Sequence, residues 1–428
     1  MRYSLFSALM LALPAAQSLA ATDVGAWAQP VDAKVQNWRR DFHQNPELGN
    51  REFRTAKVVA EHLKSLGLEV STGVAHTGVT AVLKGGKPGP HIALRADMDA
   101  LPVTESSGLP FESKQTAEYR GEKVGVMHAC GHDAHTAVLM GVAEALTKHR
   151  NELPGEVLFI FQPAEEGAPD GETGGAEQML AEGLFKNFKP DAVFGLHVWS
   201  TLNAGQIGYR AGPAMAAVDS FNIVVQGQQT HGARPWGGVD PIVTSAELVT
   251  AAQTIVARKL DLTKQPAVLS FGAIKGGIRT NIIPESVEMI GTIRTFDEQM
   301  RQSLFTDFRN IAEHVAAAHG AKAIAQIPFG PSYPKLVNDP ALTARMLPSL
   351  NKVSGADVVE MDLLTVSEDF SFFSNEVPGF YFFVGATPKG VAAIGAPSNH
   401  SPQFFLDEAS LPLATRALLP VSVDYLNG

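Results

Sequence analysis

Apolar residues along the chain recur at two spacings. From about Val31 to Leu66 they follow the helical period. Beyond that, short apolar runs alternate with helix-length segments: GVTAVLKG, HIALRADMDA, a helix after Gly131, GEVLFIFQPAEEG and AVFGLHVW. Strands alternating with helices predict an α/β domain whose mostly parallel sheet is covered on both faces. Ligands of such sheets gather at the carboxyl ends of the strands. Asp97 and Asp99 follow HIALR, Glu165 and Glu166 follow VLFIFQPA, and His197 closes AVFGL, so polar residues stand where that rule looks.

Near Gly212 the texture changes. Residues 218–226 read as a strand, 239–258 as an amphipathic helix, 266–275 and 285–295 as strands, 297–319 as a helix and 321–327 as a last strand. The order βαββαβ is that of a ferredoxin-like α+β unit. It predicts an inserted domain over 213–327 within a larger domain made of 21–212 and 328–428. VVEMDLLTVSEDFSFF, GFYFFVGA and a final helix from Asp407 return to the α/β texture. A loop at 167–175, GAPDGETGG, is rich in Gly, Pro and Asp.

Composition adds three constraints. Residues 1–20 carry one basic residue, an apolar run and the ending Ser18-Leu19-Ala20, the layout of a secretory signal cleaved before Ala21. An exported protein, periplasmic or secreted and without a stable membrane anchor, is expected; an uncleaved signal anchor is the alternative. The formal net charge of −10 disfavours nucleic acid and acidic membrane surfaces as partners. The single cysteine, Cys130, cannot form an intramolecular disulfide. In an oxidising compartment a lone metal-bound thiolate is easier to explain than a lone structural thiol.

Cys130 lies in HACGHDAHTAVLMG. Cys130 and His132 flank a glycine turn leading into a helix, where thiolate and imidazole can point at one spot. Each residue also has a plainer reading. Buried cysteine is an ordinary small hydrophobe, Asp133 reads as a helix cap, and His128 and His135 support the site or the core. Glu165-Glu166 and Asp97-Met98-Asp99 read alone as solvated loop or turn pairs, and His197 and His400 as core histidines. Their common location at one sheet edge favours a dinuclear hydrolytic site of the zinc or manganese class over a calcium cage.

The blocks RADMDALPVTE, HACGHDAHTAVLMG, FQPAEEG, GLHVW, THGARPWGGVDPI, NIIPESVEMIGTIRTFD, SEDFSFF and NHSPQFFLDE span nearly all of the chain. As a set they resemble the aminoacylase and carboxypeptidase family of dinuclear metallohydrolases, in its hippurate hydrolase and auxin-conjugate amidohydrolase branch. The resemblance implies a metallopeptidase catalytic domain with an inserted lid and dimerisation domain. It implies that Cys130, His132, Glu166, His197 and His400 bind two divalent metals, zinc or manganese with cobalt or nickel as alternatives. Glu165 would be the general base and Cys130 the replacement for a bridging carboxylate. Asp99 would orient a ligand; Asp97 stands where a histidine is usual, which leaves its own role open. His231, Asn281 and Arg294 match positions that touch substrate in relatives, the histidine often from a dimer partner. Trp236, where many members carry histidine, and the longer 167–175 loop set this chain apart near the substrate.

The function expected is hydrolysis of the amide bond of N-acyl or N-aroyl amino acids, or of small peptides with a free carboxylate, by a homodimer pairing through the inserted domain. An aminopeptidase or dipeptidase of the same family is one alternative, and a catalytically silent binding protein is another. Glu165 beside Glu166 argues against the silent protein, and the basic candidates Arg294 and His231 argue against a pocket for an α-ammonium.

Overall fold

The computed structural model describes residues 23–428. The expected signal segment lies outside them. An eight-stranded sheet forms the frame, in the order Glu69–Val74, Gly78–Lys84, Pro154–Gln162, Lys87–Asp97, Ala192–Asn203, Gly379–Thr387, Gln206–Tyr209, Asp357–Glu360. The four strands from Pro154–Gln162 to Gly379–Thr387 run parallel. Antiparallel partners flank them on both sides.

The central strands are buried on both faces, which is why their apolar runs are continuous rather than alternating. Leu94, Phe159, Phe161, Phe194 and Phe382 pack with the helices His132–Lys148 and Ser410–Asn427. Ile160, Val193, Tyr381 and Phe383 pack on the other side with Gly175–Ala181 and Phe370–Glu376. The helical stretch near the start is two helices, Asp32–Gln44 and Phe53–Ser65. Asn45, which precedes Pro46, ends the first, as residues before proline avoid the helical region. The strand through His197 does not end there; it stays paired with Gly379–Thr387 as far as Asn203.

The second unit is an antiparallel sheet in the order Ala267–Gly276, Ser286–Thr295, Ala217–Gln226, Lys322–Gln326. The helices Pro241–Thr254 and Glu298–Ala318 cover one face, with Phe221, Ile223, Leu248, Leu269, Leu304 and Phe308 between. This is the ferredoxin-like unit that the strand pattern predicts. Among the described residues no helix is long and apolar enough to cross a membrane.

Candidate metal centre

The parallel strands end at one edge, and the turns that follow them bring the chemistry-bearing residues together. Gly131 has φ 97°, a left-handed conformation, and a Cβ there would run into Val198. Only glycine lets the chain turn from Cys130 straight into the helix that begins at His132. His132 Nδ1 donates to the Asp99 carbonyl at 2.9 Å. Its Nε2 is buried and has no hydrogen-bond partner among the described residues. His197 Nδ1 donates to Val198 O at 2.7 Å, and its Nε2 lies 3.4 Å from Cys130 Sγ. Metal-binding imidazoles are held in this way, one nitrogen anchored and the other free.

Glu165 and Glu166 follow Ala164, a non-glycine residue at φ 51°. Glu52 Oε1 accepts from Ala164 N at 2.9 Å, and Asp99 Oδ2 accepts from Glu166 N at 2.9 Å, so the strained turn is held from both ends. His400, at φ 72°, is tied through its own N–H to Ala129 O at 2.8 Å. Asn399 Nδ2 donates to Cys130 O and Val198 O, which draws that turn against the other two. His400 Nε2 lies 3.0 Å from Glu166 Oε1.

Ligand-capable atoms of Cys130, His132 and His197 lie within 4.8 Å of one another, as do those of Cys130, Glu166 and His400, and those of His132, Glu165 and Glu166. Cys130 belongs to the first two sets, which is what an atom shared between two cations requires. Burial pushes the Cys130 thiol well above its ordinary pKa, and Glu166 and Glu165 push the same way. Burial also raises Glu165 well above the carboxylate range, helped by Glu368, Glu166 and Asp369. A divalent cation reverses both effects by stabilising thiolate and carboxylate. An unpartnered imidazole nitrogen, a crowded thiol and crowded carboxylates form a mixed N, O and S donor set that fits zinc- or manganese-type metals.

His135 is not free to join them. Its Nδ1 donates to Asp97 Oδ1 at 2.6 Å and its Nε2 accepts from Val198 N at 2.9 Å. Asp97 is engaged in turn by Arg95 Nη1 at 2.6 Å, so its carboxylate balances a buried guanidinium. Asp133 does not cap its helix. It meets Arg39 Nε at 2.9 Å and His43 Nδ1 at 2.8 Å, because a buried guanidinium needs a counter-charge more than the helix end needs a cap.

Four residues that the sequence reading gave no role surround the centre. Buried Arg95 pairs with Glu368 at 2.9 Å and Asp369 at 2.8 Å, and atoms of both carboxylates group with Glu165. Glu52 is the fourth. An arginine closing an apolar strand was the available signal for the first three.

The inserted unit distributes its candidates unevenly. Gly232 N donates to Asn281 O at 2.9 Å, so exposed His231 and Asn281 are neighbours. Arg294 lies near the other end of the strand Ser286–Thr295, roughly 26 Å from Ser286 at strand rise. Within one chain, Asn281 and Arg294 thus stand toward opposite ends of that strand. Arg294 Nη1 donates to Ser367 Oγ at 3.0 Å. Its acidic neighbours in sequence are engaged elsewhere: Asp297 caps the next helix at Met300 N, and Glu298 meets Arg301. A hollow of about 700 Å³ beside Asp23–Gln29 and Asp424 has no member of the cluster in its lining.

Comparison with known proteins bears on this geometry. The profile of peptidase family M20/M25/M40 matches residues 93–421. The chain is 40% identical over 399 residues to thermostable carboxypeptidase 2 of Saccharolobus solfataricus, covering 92% of this chain and 97% of the relative. It is 38% identical to N-acetyl-L-cysteine deacetylase of Bacillus subtilis, over 87% of this chain and 83% of the relative. A solved dinuclear metal-binding peptidase of the M20 family from Bacillus subtilis superposes with a TM-score of 0.78 at 34% identity, covering 93% of this chain and 99% of that one.

Proposed function

We propose, from the premise that the chain belongs to peptidase family M20/M25/M40 and is a metal-dependent hydrolase of amide bonds, that it releases a free amino acid from N-acyl or N-aroyl amino acids or small peptides bearing a free carboxylate. The observation that carries the carboxylate is Arg294. Its half-buried guanidinium is bonded to a neutral hydroxyl, and Ser367 directly precedes Glu368 and Asp369, which group with Glu165. A planar guanidinium beside a reaction centre suits bidentate carboxylate binding.

Cys130, His132, Glu166, His197 and His400 would hold two divalent cations, zinc or manganese before cobalt or nickel. Cations so held supply Lewis acidity to a carbonyl and to water. Glu165 accepts a proton from the attacking water and delivers it to the leaving amine. That carboxylate is buried, with Glu368 and Asp369 grouped beside it. Asp99 fixes the His132 ring and the Glu166 amide, so that ligand and base keep their spacing. His231 donates to the developing oxyanion, and the distance between it and Arg294 supports its arriving from a second subunit. Export, to the periplasm or the medium, belongs to the same proposal and rests on residues 1–20. The mass of protein recovered from either compartment tests it, with chain starting at Ala21 expected.

Substrate chemistry tests the central claim. Amidating or esterifying the carboxyl end lowers kcat/KM by about tenfold or more, the loss expected for a charged hydrogen bond of about 1.5–3 kcal/mol. Arg294→Ala abolishes the discrimination. Equal rates on acid and amide forms by the unmodified protein would show that no carboxylate is read.

A further inference from the structure

A pocket of about 260 Å³ reaches Asp99 and Glu166, and all of its lining comes from residues 48–170. None of it comes from the inserted unit that carries Arg294. Its apolar wall is Leu48, Leu101, Pro102, Tyr119 and Pro169. Tyr119 stands on a two-stranded hairpin, Thr116–Tyr119 with Glu122–Gly125, that forms one side. Pro169 and Asp170 come from the Gly-, Pro- and Asp-rich loop and form the other. The pocket is below the roughly 300–1,000 Å³ of a site for a whole drug-sized ligand, so it takes one substituent of a substrate.

Its charges decide which substituent. Arg120 is paired with Asp170 at 3.2 Å, and Arg51 with Glu172 at 2.5 Å, so both arginines already have a carboxylate. Glu118, which has no ion-pair partner among the described residues, adds negative charge to the lining. An anionic group entering here meets repulsion and no spare cation, whereas Arg294 offers a cation bonded to a neutral hydroxyl. The two ends of a substrate are thereby sorted. We propose that this pocket receives the uncharged acyl or aroyl group, and that its apolar wall makes the enzyme prefer medium-length or aromatic acyl groups over acetyl. The proposal rests on the N-acyl amino acid reading.

The test compares N-acetyl, N-hexanoyl and N-benzoyl derivatives of a panel of amino acids on the manganese- or zinc-loaded protein. Each buried methylene contributes about 0.8 kcal/mol, or about fourfold, so hexanoyl and benzoyl should exceed acetyl in kcat/KM by about tenfold or more. Leu101→Phe, which narrows the pocket, should cut the hexanoyl and benzoyl rates by at least about tenfold more than it cuts the acetyl rate. Tyr119→Ala, on an exposed hairpin where folding is not at stake, should reduce the preference to within about threefold. Calorimetry on Glu165→Gln protein gives a readout apart from turnover, and the N-benzoyl derivative should bind about tenfold more weakly when Tyr119→Ala is added. N-acyl amino acids hydrolysed with a preference that neither substitution alters would overturn the pocket assignment alone. Cleavage of dipeptides with no N-acyl derivative turned over would overturn the N-acyl reading, and the pocket assignment with it.

Discussion

Glu165 and Glu166 are sequence neighbours with different surroundings. Glu165 is 6% exposed and groups with Glu368 and Asp369, whereas half-buried Glu166 meets His400 at 3.0 Å. Glu165→Gln is therefore expected to keep its metal and lose about 10²-fold or more in turnover, and Glu166→Gln to lose metal, as elemental analysis and kcat would show. The reverse pattern exchanges their roles. Cys130→Ala should lower metal content and activity while circular dichroism stays unchanged. Glu52, fully buried, accepts from Ala164 N and from the Thr77 hydroxyl. In Glu52→Gln one of those donors faces an amide NH2, a loss of about 1–3 kcal/mol that should appear as a lower Tm. Because Ala164 carries the strained turn into Glu165, kcat should fall with KM nearly unchanged; a drop in Tm with normal kcat would leave Glu52 a purely structural residue. The glutamate pair was legible because two adjacent carboxylates after an apolar strand need positive charge nearby. Glu52 was not, since GNREFRTA reads as the start of a surface helix and its partners lie 25 and 112 residues away.

At the level of elements, the turn at Gly131 sets the distance between Cys130 and His132. Gly131→Ala places a Cβ in the left-handed region and against Val198, and the two effects together should destabilise by about 2–4 kcal/mol. A lower Tm with reduced metal content is expected; an unchanged Tm would mean the turn relaxes freely. The central strands were legible because both their faces are buried, which leaves uninterrupted apolar runs. The strand Glu69–Val74 and the hairpin at 116–125 were not, because they are largely exposed and their sequences carry little apolar contrast. The βαββαβ unit was readable because its helices cover only one face, so its strands alternate: in Ala217–Gln226 every second residue is buried. The extension of the His197 strand to Asn203 depends on pairing with a strand nearly 190 residues later, which no local pattern records.

For the whole molecule, the separation within the inserted sheet is the deciding feature. His231 and Asn281 lie beyond the Ser286 end of the strand Ser286–Thr295 and Arg294 near its other end, a strand run of roughly 26 Å, and it is Arg294 that reaches the loop beside Glu165. A small substrate held by Arg294 cannot also touch His231 of the same chain. A symmetric dimer solves this if each inserted domain reaches the other's cleft, since a two-fold interface gives each subunit what it gives its partner. The edge strand Ala267–Gly276 and exposed Ile242 and Ile274 offer such a surface. Mixing two inactive proteins tests the arrangement. His231→Ala lacks the donated histidine but keeps its base, and Glu165→Gln lacks the base but can donate His231. After unfolding and joint refolding, half of the dimers should be mixed and each should hold one complete site, so activity should return to roughly a quarter of the unmodified level. If His231 acts within its own chain, the mixture stays as inactive as its parents, whatever dimers form.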